Sequence, residues 1–251
     1  MAVTLDDGYV DALSVASRIL TELGVPATFF VNTDRLSEEH ERWWDILERV
    51  FLTETTLPSV LAISLGGHDF QMPTATPSER AGALECLNRT AWPLGADARA
   101  RLAADVLAWR GGTMAPRATH RVLTEDEVRA LASRPGHSIG AHTIHHLALT
   151  TQPADTKRIE VFENKMTLER VLHQPVHLFA YPYGELDAEI VMTVRKAGFF
   201  AAVTVQAGLV SAGTNRLLLP RYEVTAADRG SFPARLREMF AEPSEAPIGI
   251  Q

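Results

Sequence analysis

Short apolar runs rich in β-forming residues alternate with helix-periodic segments along this chain, and its acidic and histidine clusters fall where the runs end. Residues 10–23 carry Val10, Leu13, Ala16, Leu20 and Leu23 near helical spacing, and Gly24 with Pro26 is a stop signal. Ala27–Val31 follows as a short strand, so the chain opens as strand, helix, strand. Thr124 with Glu127 forms a capping box for a helix through Ser133, and a strand follows over His137–Ala141. Residues 155–172 read as an amphipathic helix with Ile159, Phe162, Met166 and Val171 on its apolar face. A strand at 177–181, a helix at 187–197 closed by Gly198, a strand at 200–205 and an extended run at 217–224 complete the series. Such alternation predicts a parallel α/β architecture, in which chemistry gathers at the carboxyl ends of the strands. Asp6–Asp7, His142–His146 and Tyr181–Gly184 all fall at such ends.

Residues 36–116 break the alternation. Helical segments around Trp43–Leu52, Ser78–Thr90 and Asp97–Arg110 lie between turns rich in Pro and Gly, and this stretch reads as a helical insertion. A length of 251 residues can bury a substantial core, and the expectation is one domain over 1–251 with the insertion inside it.

Several function classes are disfavoured. No apolar run approaches the ~20 residues a membrane helix needs. The net charge of −7 is spread along the chain without a basic block, so nucleic acid is not an expected partner. Cys86 is the only cysteine, so any metal must be held by histidines and carboxylates. No charged and then apolar leader precedes the first motif, which makes the expected location cytoplasmic. Only Met1–Val3 precede that motif, however, and a start further upstream would add a leader or an anchor. Oligomeric state is not legible.

Asp6 and Asp7 are adjacent, so in an extended segment their side chains point to opposite sides and can take different roles, one on a metal and one on protons. An Asp-Gly turn capping a helix would look the same. His142 and His146 are four apart, which on a helical turn sets two imidazoles toward one ion. Nine histidines also produce such pairs by chance. Two imidazoles and one carboxylate together make a three-ligand site with an open position, as catalytic zinc requires. Trp43 and Trp44 could form a sugar-stacking platform, but beside Ile46, Leu47 and Phe51 they read as core. His137 reads as a structural histidine.

Three motifs in order carry a resemblance: Thr4-Leu5-Asp6-Asp7-Gly8, His142-Thr143-Ile144-His145-His146, and Phe179-Ala180-Tyr181-Pro182-Tyr183-Gly184, with Pro135–Ala141 leading into the second. The chain resembles the NodB-homology polysaccharide deacetylases, carbohydrate esterase family four, over roughly 3–35 and 117–224, the insertion lying outside. The resemblance implies a distorted (β/α) barrel of the NodB type. It also implies Asp6 as general base, Asp7, His142 and His146 as metal ligands, and the backbone N–H of Tyr183 as an oxyanion donor. Zinc is the first expectation for the ion; cobalt, nickel or iron accept the same ligands.

Two departures stand out. The usual third motif has Arg two residues before its Pro, where this chain has Ala180; Arg221 is the candidate replacement, a surface ion pair being its other reading. No His follows His177 to serve as general acid, so proton delivery falls to Asp6 acting twice, or to His68 or His145. The expected activity is hydrolysis of the N-acetyl group of an amino sugar, in a polysaccharide, a lipid-linked intermediate or a small glycoside. Deformylation, or hydrolysis of another amide or imide, would use the same site, and a catalytically silent carbohydrate-binding relative is the reading from outside enzymology.

Overall fold

The computed structural model describes residues 2–241. Five strands, β1 (Val3–Leu5), β2 (Ala27–Val31), β5 (His137–Ala141), β6 (Leu178–Ala180) and β7 (Ala201–Val203), form one sheet in the order β1-β2-β5-β6-β7. Ladders from β5 to β6 and from β6 to β7 are parallel, with Ala141 opposite Phe179 and Phe179 opposite Ala202. The remaining two strands, β3 (Val60–Leu65) and β4 (His68–Pro73), make a separate hairpin. Among the described residues, contacts group 2–27 with 34–137 as one compact unit and 28–33 with 138–241 as a second.

In the first unit a π-helical turn, Ala12–Ala16, runs into α1 (Ser17–Glu22), and Gly24 at φ +64° ends it. Three further helices occupy the expected places in 36–116: α2 (Trp43–Glu48), continued by a π turn at Arg49–Thr53, α3 (Pro77–Ala91) and α4 (Ala96–Arg110). The hairpin is an addition to that reading. Leu65 pairs with His68, leaving Gly66 and Gly67 as a two-residue turn with φ of +61° and +81°, the left-handed pair that a type I′ turn requires. Leu61, Ile63 and Leu65 point inward and alternate with exposed neighbours. They share one core with Leu47, Val50, Leu87, Leu102 and Val106, each worth about 1.5–3 kcal/mol on burial. Trp43 packs on this core with the Arg99 guanidinium 5.4 Å from its ring centroid, in keeping with a core residue, and Trp44 Nε1 donates to Tyr9 at 2.8 Å. The Thr124–Glu127 capping box opens α5 (Glu125–Ala132) as expected. His137 Nδ1 lies 3.2 Å from Ser17 Oγ, in keeping with a structural role.

The second unit is dominated by α6 (Ala154–Leu172), and its buried face differs from the apolar one expected. Ile159 is 39% and Met166 65% exposed, whereas Lys157, Glu160 and Asn164 are buried beside Val161, Leu168 and Val171. Lys157 Nζ reaches Asp187 at 3.2 Å and Glu189 at 2.5 Å, which ties α6 to the start of α7 (Ala188–Lys196). Residues 217–224 do not form a strand. The segment runs beside β7, with Leu219 N–H on Ala202 O and Thr204 N–H on Leu219 O, both 2.9 Å, but Pro220 has no N–H to extend the ladder. A last helix, α8, spans Phe232–Ala241. No described helix is long and apolar enough to cross a membrane.

Candidate metal centre

Asp6 and Asp7 leave the end of β1 as a turn, and Asp7 takes φ +72°, with Gly8 after it at +67°. A left-handed aspartate costs about 1–3 kcal/mol and persists where its surroundings hold it. Here Arg42 Nη2 donates to the Asp7 carbonyl at 3.0 Å and Leu123 N–H donates to the Gly8 carbonyl at 2.8 Å. Two residues on, the Tyr9 hydroxyl donates to Asp45 Oδ2 at 2.6 Å. Burial, and then the charge of Asp45, push the Tyr9 phenol above its ordinary range, so it remains a neutral donor.

The histidine segment follows β5, and it is a loop, not the helical turn its spacing suggested. Thr143 and His146 adopt φ of +65° and +52°, and these two reversals fold the segment back so that the rings of His142 and His146 lie 4.9 Å apart. Buried polar side chains hold the loop. Glu160 Oε2 accepts the N–H groups of Ile144 and His145, both at 2.9 Å, while Oε1 lies 2.6 Å from His145 Nδ1. Asn164 Oδ1 accepts His142 N–H at 3.0 Å, and Asn32 Nδ2 donates to the His142 carbonyl. Unpaired, each of these buried polar groups would cost about 1–3 kcal/mol.

His142 Nδ1 lies 2.8 Å from the carbonyl oxygen of Ala180. A carbonyl only accepts, so Nδ1 carries the proton, and in the neutral ring Nε2 presents its lone pair, the tautomer a metal requires. His142 and His146 belong to the second unit and Asp7 to the first. One carboxylate and two imidazoles fit a divalent zinc-like ion and leave coordination positions open.

The third motif forms a 3₁₀ turn, Pro182–Gly184, with Tyr183 at φ +58° and its ring 4.4 Å from that of His146. Gly184, at φ +70°, leaves no room for a Cβ against Val205. Tyr181 is buried and donates to Leu217 O at 3.0 Å, which makes it a packing residue. Arg221 is half-buried: its Nε donates to Thr204 O at 2.8 Å and its guanidinium stands 5.8 Å from the Phe30 ring centroid. His68 sits at the hairpin turn, and His145 is engaged with Glu160.

The motif reading did not include Glu160, Asn164, Asn32 or Arg42. Glu160 and Asn164 are four apart on α6, and a buried polar pair at that spacing is the signal that could have found them. Nothing in the local sequence singles out Arg42.

A family model described as polysaccharide deacetylase matches residues 1–57 and 90–202. The match takes in most of the expected insertion and leaves 58–89, with the hairpin and most of α3, outside. YxkH of Bacillus subtilis (strain 168), assigned to the polysaccharide deacetylases, is 30% identical over 118 residues, which are 47% of this chain and 42% of that protein. The chain thus spans under half of that relative. Among solved structures it is similar to the Streptococcus pyogenes deacetylase PplD in complex with acetate, with a TM-score of 0.55 and 18% identity over 96% of this chain and 69% of that one. It is also similar to IcaB from Ammonifex degensii, with a TM-score of 0.52 and 15% identity over 93% and 71%. These likenesses show a common fold, the NodB-type (β/α) arrangement that the motifs implied. With the family matched over most of its length, the chain belongs to the polysaccharide deacetylase family.

Proposed function

We propose that this protein is a metal-dependent N-deacetylase that hydrolyses the N-acetyl group of an amino sugar, with Asp7, His142 and His146 holding one divalent ion, zinc first among the candidates. The observation that carries the reading is the family match over residues 1–57 and 90–202, which takes in Asp6, Asp7, His142 and His146. When bound, the ion supplies Lewis-acid polarisation of the acyl oxygen and lowers the pKa of the attacking water. Asp6 takes the proton of that water and, once protonated, returns it to the leaving amine. The backbone N–H of Tyr183 donates to the oxygen on which negative charge develops, where a preorganised donor is worth most. Arg221 orients Asp6, in place of the cation that Ala180 cannot supply.

The experiment is acetate release from chitooligosaccharides and from small N-acetyl and N-formyl sugars, by chelated protein and by protein resupplied with zinc. The reading expects release from N-acetyl sugars in the zinc-supplied sample alone. Formate release without acetate release would move the assignment to a deformylase. Binding of the sugars without release of either acid would favour the silent relative.

A further inference from the structure

Arg42 lies outside all three motifs and is only 3% exposed. Its Nη1 is paired with Asp34 Oδ1, and its Nη2 donates to the carbonyl oxygen of Asp7 at 3.0 Å. Burial opposes charge on Asp34, but Arg42 and then His40, whose Nε2 stands 3.4 Å from Oδ2, outweigh it and hold the carboxyl well below its usual range. The pair is therefore fully charged at neutral pH. A buried ion pair is weak ground for stability, because well-packed apolar residues often do as well. What this one supplies is geometry. A planar fork anchored on Asp34 gives the carbonyl of Asp7 one fixed donor, at a residue whose left-handed backbone needs holding.

We infer that Arg42 is a positioning residue for the metal centre: anchored by Asp34, it fixes the main chain of Asp7 and so sets where the Asp7 carboxylate stands relative to the ion. The inference rests on Asp7 being a ligand. Residues that orient a ligand typically change metal affinity 10–100-fold when replaced.

Arg42→Lys tests it, because one ammonium cannot hold a carboxylate and a carbonyl in the same planar geometry. Cobalt(II) is titrated into chelated wild type, Arg42→Lys, Asp34→Asn and Asp7→Ala, with the visible absorption band and the thermal midpoint recorded for each. The expected result is a Kd for cobalt raised about tenfold or more in Arg42→Lys, an altered band at saturation, and a smaller change of the same sign in Asp34→Asn. A folded Arg42→Lys with wild-type Kd and band, and only a lower thermal midpoint, would make the pair merely structural and overturn the inference. Should Arg42→Lys fail to fold, Asp34→Asn decides by the same two readouts. Wild-type cobalt binding in Asp7→Ala would overturn the ligand assignment itself, and the inference with it. Loss in Asp7→Ala beside unchanged Arg42→Lys and Asp34→Asn would sink the inference alone.

Discussion

Asn164 accepts the backbone N–H of His142 at 3.0 Å through Oδ1, and its amide group donates to Val31 O at 3.1 Å and Thr33 Oγ1 at 3.0 Å. One fully buried side chain on α6 thus fixes the first residue of the histidine loop against the end of β2. In Asn164→Ala the His142 N–H and the Val31 carbonyl lose these partners. The expected loss is about 2–4 kcal/mol, or roughly 5–15 °C in Tm for a chain of this size, with weakened metal binding in the same variant. Thermal melts with and without zinc check this. A Tm within about 1 °C of wild type would show that water or a shifted backbone replaces the amide.

Asp6→Asn keeps the shape of the proposed base and removes its capacity to take a proton. Bound metal should stay at one ion per chain while kcat falls by about 100-fold or more. Elemental analysis and a steady-state assay on the same preparation separate these two quantities. Comparable turnover would transfer the base role to another residue.

Arg221 owes its proposed role to an absence, since the family's Arg before the third-motif Pro is Ala180 here. Arg221→Lys keeps a cation but not a planar fork, and a misplaced base loses rate without loss of the metal. The expected outcome is a kcat reduced by about tenfold or more with metal content unchanged. Full activity in Arg221→Ala would remove the residue from the mechanism.

How far the sequence was legible depended on whether a residue is buried for its apolar surface or for its hydrogen bonds. Strand β5 is bounded as read, and the helices about Ser78–Thr90 and Asp97–Arg110 are found within two residues, because their capping and breaking residues act locally. On α6 the apolar pattern selected Ile159 and Met166, which are exposed, and passed over Glu160 and Asn164, which are buried to hold the loop. Spacing alone made the histidine pair helical. Two non-glycine residues at positive φ make it a loop, and those reversals are stabilised by side chains distant in sequence. The hairpin was legible, since Gly66-Gly67 between two short alternating runs is a strong turn signal, but the flanking helices hid it. Asp7, His142 and His146 were proposed from motif order, which carries long-range information that periodicity lacks.

Acid should destabilise the fold in a definite window. Arg121 first of all holds Glu127 below its ordinary value, and Arg117 does the same for Glu41 against the opposing effect of burial. A carboxyl depressed in the folded state contributes its full stabilisation above the unfolded value of 4.5 and loses it as pH falls through the folded value. Asp45, raised by burial, works in the opposite sense. Tm should therefore fall as pH drops below about 4.5, and fall less steeply in Glu41→Gln. An equal slope in wild type and variant would mean that the Glu41 pairs do not persist in solution.

The most direct test of the account is a crystal soaked in zinc and measured at the zinc absorption edge. The prediction is one anomalous peak per chain, at about 2.0–2.2 Å from a carboxylate oxygen of Asp7 and from one ring nitrogen each of His142 and His146, with no other protein ligand. A peak elsewhere, or three side chains that remain apart in a saturated crystal, would contradict it.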